Sequence, residues 1–170
     1  MLCSLGTDRS GKEALPQAHR VHLAVMCYGK LRIIHRAEGE MVDTTWQTKY
    51  EIGHPRIDFE HRIFLDLIDQ FAQLADSGAP PKRLLRTCAE LYKYADFHFF
   101  SEEGLMEQVD WPETAHHKAL HRELLDELRD YIDSVSVDQL RTNEMISFLM
   151  RWFTAHTATE DKKLAQYLTQ

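Results

Sequence analysis

Residues 97–106 read FHFFSEEGLM. Phe97, Phe99, Phe100, Leu105 and Met106 are core-type side chains, yet His98 and Glu102 stand among them four residues apart. At about 3.6 residues per turn, that spacing places an imidazole and a carboxylate on one helical face. Stepping back by threes and fours, the same face carries Ala95, Leu91, Cys88 and Leu84. The polar pair therefore continues an apolar stripe, and whatever buries the stripe buries the pair. The helix is expected over about 82–109. SGAPP (77–81) limits it at one end, since its glycine and prolines cannot propagate a helix. DWP (110–112) limits it at the other, with Pro112 suited to the first turn of the next helix.

The same pattern recurs on both sides. Over about 58–77, Phe64, Leu67, Ile68, Phe71 and Leu74 share a face that leads back to His61. Over about 113–133, Leu124, Leu128 and Tyr131 or Ile132 form a stripe that leads back to His121 and His117. SVSVD (134–138) turns the chain. A fourth helix from near 138 carries Met145, Leu149 and Trp152, and the stripe runs on to His156; DKKLAQYL (161–168) forms a further helical piece. Between 58 and 170 there is no strand alternation, no repeat and no low-complexity tract. Four amphipathic helices with short connections pack as an all-α, up-down-up-down antiparallel four-helix bundle.

Residues 1–40 are different. They hold Gly6, Gly11, Pro16 and Gly29 and no helical period, and VHLAVMCYGKLRIIH (21–35) alternates around Gly29-Lys30 as a hairpin would. At Met41 the character of the sequence changes. The expected division is an irregular N-terminal extension over 1–40, poorly ordered or not native, and the bundle over 41–170.

The 170 residues suit one domain, with 44% hydrophobic and 28% charged side chains. No apolar run approaches the ~20 residues of a membrane helix, so no membrane insertion is expected. The formal net charge of −7 argues against a nucleic-acid partner, which demands a basic face. Cys3, Cys27 and Cys88 form no CxxC pair and no even set, and the N-terminus lacks a secretory pattern; both fit the cytoplasm.

Ten histidines are the unusual feature. A single histidine on an apolar face is usually a hydrogen-bonded core residue. Five of them, from all four helices, are harder to treat that way. In an antiparallel bundle His61 lies near the start of the first helix, and His98 and Glu102 lie near the end of the second. His117 and His121 lie near the start of the third, and His156 near the end of the fourth. All these places fall at one end. Burying such groups without partners costs about 1–3 kcal/mol each, and a metal that takes up their lone pairs removes the cost. With no thiolate at hand the donors are nitrogen and oxygen, and five imidazoles exceed what one tetrahedral ion uses. A two-metal site is the economical reading, and it wants a second acid. HTATED (156–161) offers Asp161, five after His156. On a regular helix that step turns about 140° away, so Asp161 joins only where the helix widens into a π turn. Glu103 falls off the stripe and is expected to face solvent. His116 is expected at the surface or behind the ligands, and His54 in a loop.

These residues resemble the hemerythrin family in its bacterial single-domain form. The matching pieces are Trp46 with YEIG (50–53), IDFEH (57–61), HFFSEEGLM (98–106), HKALH (117–121) and WFTAHTATEDKKL (152–164), in order over about 46–170. The resemblance implies a non-haem di-iron centre, two Fe ions with an oxo or hydroxo bridge, that binds O2. It implies that His117, His121 and His156 cap one ion, that His61 and His98 hold the other and leave it an open position, and that Glu102 and Asp161 bridge the two. O2 would enter at the open ion and draw one electron from each iron. The implied role is an oxygen carrier, store or local supplier, a monomer rather than an enzyme, with an O2-consuming recipient unspecified. Trp152, Phe99 and Phe153 are candidates for the dry wall of the pocket, and equally for ordinary core.

Other readings compete with this one. An O2, NO or redox sensor, or a peroxide- or NO-handling protein, could use the same fold and site. A ferritin-like oxidase wants two Glu-x-x-His motifs on helices; ETAH (113–116) is one, and EIGH (51–54) sits in a Gly-Pro segment. A purely structural bundle with incidental histidines would bind no iron.

Overall fold

The computed structural model describes residues 25–27, 30–32, 34–37, 40–133 and 142–169. Two small antiparallel ribbons come first. β1 (Val25–Cys27) pairs antiparallel with β2 (Lys30–Arg32), with Cys27 opposite Lys30; residues 28 and 29, the turn of the expected hairpin, lie outside the described residues. β3 (Ile34–Ala37) pairs with β4 (Glu40–Asp43). The division expected between residues 40 and 41 thus falls inside β4. Expectations for residues 1–24 and for the SVSVD turn lie outside the described residues.

Four long helices carry the fold: α1 (Pro55–Asp76), α2 (Pro81–Gln108), α3 (Thr114–Asp133) and α4 (Thr142–His156). A π turn over Thr157–Asp161 leads on into a short α5 (Lys162–Leu168). α1 starts three residues earlier than the apolar stripe predicts. Pro55 opens it, and His54 acts as N-cap, its Nδ1 accepting from the Ile57 amide at 3.4 Å. His54, expected as a loop residue, therefore has a structural task. The chain enters α1 through a tight turn in which Gly53 takes φ +91°, a conformation that suits glycine. The Asp58 carboxylate holds that turn, accepting from the amides of Ile52 (2.8 Å) and Gly53 (3.2 Å).

Contacts across the bundle fix its direction. As numbers rise along α1 they fall along its partner α2: Glu60 meets Ser101, and Phe64 stacks near Tyr94. α2 and α3 run the same opposed way, with Glu107 on Lys118, Phe99 on His121 and Tyr92 on Arg129. So do α3 and α4, with His121 at His156 and Tyr131 on Phe148. α2 and α4 are parallel diagonals, Cys88 touching Met145 and Phe99 touching Trp152. This is the expected up-down-up-down bundle.

Its interior is layered. A large apolar cluster fills most of the length, from Ala75, Leu84, Leu128 and Met145 down to Phe64, Phe99, Leu124 and Phe153. Beyond it, at the end where α1 begins, comes a layer of buried polar side chains. Past that layer a small second cluster of Ile57, Met106, Trp111 and Leu164 closes the end. Trp111 reaches that position because Asp110 takes φ +49°, which aspartate tolerates better than most residues, and turns the chain sharply after α2. The Trp111 amide then donates to the Met106 carbonyl at 3.0 Å.

Candidate metal centre

The polar layer holds His61 from α1, His98 and Glu102 from α2, His117 and His121 from α3, and His156 from α4. Each extends its helix's apolar stripe, so burying the stripe carries it inward. Asp161 arrives by a different route. The segment from Thr157 to Asp161 is wound as a π turn, and the extra residue per turn rotates Asp161 back toward the His156 side. The five-residue spacing required such a distortion. Glu102 and Asp161 are both 0% exposed.

The donors converge. One ligand atom from each of Glu102, His117, His121 and His156 falls in a group whose members all lie within 4.8 Å of one another. His117 Nε2 is 3.5 Å and His121 Nε2 3.4 Å from Glu102 Oε2. Asp161 divides its oxygens. Oδ1 faces His156 Nε2 at 3.0 Å and His117 Nε2 at 3.4 Å, while Oδ2 faces His61 Nε2 at 3.1 Å. The His61 and His98 rings meet edge to face at 4.9 Å. One carboxylate therefore spans two groups of imidazoles, the three-histidine group and the His61/His98 side.

Beyond the His121 Nε2 to His156 Nε2 contact at 3.2 Å, these groups satisfy one another poorly. Both oxygens of Glu102 and of Asp161, both ring nitrogens of His117, and His61 Nδ1 are buried without a well-formed hydrogen bond. Buried polar atoms in a folded protein are nearly always paired, and each orphan costs about 1–3 kcal/mol. Donor atoms that crowd to 3.0–3.5 Å around one point without well-aligned hydrogen bonds enclose a volume that a cation can fill. Donors at the corners of a coordination shell of about 2.1 Å radius stand about 3.0–3.4 Å apart, for octahedral or tetrahedral arrangements. The observed spacing fits a metal between them.

The electrostatics agree. Burial and the nearby Asp161 charge both act to raise the Glu102 carboxyl, but His117 and His121 outweigh them and bring it down to about 2. Burial likewise opposes the Asp161 charge, and His156, His117 and His61 hold that carboxyl well below its ordinary range. Burial pulls His117 down, yet Asp161 and Glu102 beside it push it up to about 9. The two carboxylates thus demand positive charge at this point, which either a proton or a cation can supply. His121 behaves otherwise: burial lowers it, against the opposing pull of Glu102. Its Nδ1 lies 3.1 Å from Glu103 Oε1, which places the ring proton there and leaves the Nε2 lone pair facing inward.

Two participants differ from the sequence reading. Glu103, expected in solvent, has a side chain only 21% exposed and is shared between His121 and Lys118. Glu60 was not anticipated at all. It is buried, and its Oε2 sits 3.0 Å from His98 Nδ1. Its signal was present, since Glu60 lies four before Phe64 on the α1 stripe, as His61 lies three before it. The aromatic candidates do touch the layer. Phe99 stacks on His121 (3.9 Å, 9°), Trp152 stacks on His156 (4.7 Å, 19°), and Phe153 meets His61 edge-on at 5.7 Å. His116 is exposed, on the outer side of α3.

Comparison with known proteins gives one consistent result. Residues 53–168 match the family model of the hemerythrin HHE cation binding domain. The bacteriohemerythrin of Clostridium acetobutylicum is 24% identical over 123 residues, spanning 69% of this chain and 95% of that protein. The bacteriohemerythrin of Stenotrophomonas maltophilia is 26% identical over 120 residues, spanning 71% and 78%. A crystal structure of a hemerythrin point mutant superposes with a TM-score of 0.63 at 22% identity, over 74% of this chain and 97% of that one, a likeness of fold.

Proposed function

This chain belongs to the hemerythrin family, and on that premise we propose that it binds O2 reversibly at a non-haem centre of two iron ions. In this reading His117, His121 and His156 would hold one ion. His61 and His98 would hold the other, with Glu102 and Asp161 shared between them. The observation that carries it is the split of Asp161, one oxygen toward His117 and His156 and the other toward His61.

Two ferrous ions bound there would supply the two electrons that O2 binding uses. The chain's own residues set the conditions. With three imidazoles on one side and two on the other, the His61/His98 side would offer an ion fewer protein ligands, and O2 would enter there. Phe153 against His61 gives that side an apolar wall. Phe99 and Trp152, stacked on His121 and His156, hold those rings in place. Ile57, Met106, Trp111 and Leu164 close the end of the bundle and keep bulk water out. A dry pocket with fixed ligands favours release of O2 over irreversible loss of electrons to it. The role that follows is carriage, storage or local supply of O2.

The test is stoichiometric. Iron-loaded, reduced protein is expected to hold two irons per chain, to take up one O2 per iron pair, and to return it under vacuum. Uptake without return would remove the carrier reading, and iron well below two per chain would remove the two-ion site.

A further inference from the structure

The Glu60-His61 dipeptide on α1 points two ways. His61 faces Asp161. Glu60 reaches across to α2 and meets the back of His98, Oε2 to Nδ1 at 3.0 Å. Its other oxygen accepts from Ser101 Oγ at 2.9 Å and from Arg56 Nε at 3.0 Å. The backbone is held as well, since the Tyr94 hydroxyl donates to the Glu60 carbonyl at 3.2 Å. A carboxylate that accepts from three side chains and is 5% exposed has little freedom to move.

That placement has a chemical consequence. A neutral imidazole can carry its proton on either nitrogen. A carboxylate behind Nδ1 holds the proton there and turns the Nε2 lone pair away from it. A charged acceptor also strengthens the bond and makes the imidazole a better donor. We propose that Glu60 is a positioning residue, which fixes the tautomer and orientation of His98 and makes the His61/His98 ion more electron-rich. The proposal rests on the di-iron reading above. It concerns the side of the centre where O2 would enter, whereas Glu103, shared with Lys118 and partly exposed, stands behind His121 on the other side.

The test uses full-length wild type, Glu60→Gln, which keeps the shape and loses the charge, Glu60→Ala, and Ser101→Ala. In metal-free, 15N-labelled protein, wild-type His98 is expected to show a protected Nδ1 proton that Glu60→Ala loses. In Co2+ titration, Glu60→Ala is expected to bind about 10–100-fold more weakly than wild type, with Glu60→Gln between them. In the iron-loaded form, Glu60→Gln is expected to have a higher reduction potential, and Ser101→Ala to stay close to wild type. Lower melting temperatures in the Glu60 variants with unchanged Co2+ affinity and potential would make Glu60 structural and overturn the proposal alone. Wild type that takes up no Co2+ and no iron would overturn the di-iron reading, and this proposal with it.

Discussion

Two apolar clusters lie on opposite sides of one polar layer, and they are unequal. Among the described residues, the cluster toward the far end has twenty buried members and the one at the α1-start end has four. The large cluster draws on all four long helices and on Tyr50 and is the source of stability. The small one has one residue each from α1, α2, the turn after α2, and α5. It is too small to hold helices together, but it is enough to seal the layer. The difference explains how a bundle tolerates three buried carboxylates, Glu60, Glu102 and Asp161, and five buried imidazoles. They sit at the edge of a core large enough to stabilise the fold without them, under a thin apolar cover.

If the division of labour is right, damage to each region should read out differently. The largest effect belongs to the polar layer itself. His121→Ala is expected to abolish two-iron loading and leave a helical protein, seen by metal analysis beside circular dichroism; normal loading would remove His121 from the ligand set. Next comes the large cluster. Leu149, 0% exposed, is expected on truncation to alanine to cost about 2–5 kcal/mol in chemical denaturation, with iron stoichiometry unchanged. Loss of iron in that variant at temperatures where it remains folded would break the comparison. The small cluster should reverse the pattern. Met106→Ala is expected to cost about 2 kcal/mol and to speed the air oxidation of the reduced, iron-loaded protein several-fold, by admitting water. Oxidation at the wild-type rate would show that the cover does not keep the layer dry. The smallest expected effect is at the rim. Glu103→Gln keeps a hydrogen-bond acceptor for His121 and should weaken metal binding about tenfold at most, and a complete loss would make Glu103 a ligand.

The sequence displayed the bundle plainly, because four stripes of period 3.6 with Gly/Pro breaks allow few other arrangements. It displayed His61, His98, Glu102, His117, His121 and His156 for the same reason, since each prolongs a stripe. Asp161 violates the period, and its inward place depends on a π turn that spacing can demand but not locate. Glu60 shared the α1 stripe with His61 and was hidden by it, as a carboxylate next to a histidine looks like a solvated neighbour. The inward position of Glu103 is hidden for a related reason. It lies beside the stripe, where helix period predicts solvent, and only the approach of α3 brings His121 and Lys118 to it. The ribbon of β3 and β4 against the bundle depends on tertiary contact, and alternation over so few residues could not announce it.

The proposed reversible binding of O2 at an iron pair in the polar layer is tested first by optical spectroscopy. The iron-loaded, fully reduced protein is titrated with O2 and then purged with inert gas while its spectrum is followed. A visible charge-transfer band is expected that appears with O2 and vanishes on purging, through repeated cycles. A band that never forms, or one that gives way to a stable ferric spectrum unaffected by purging, would contradict reversible binding.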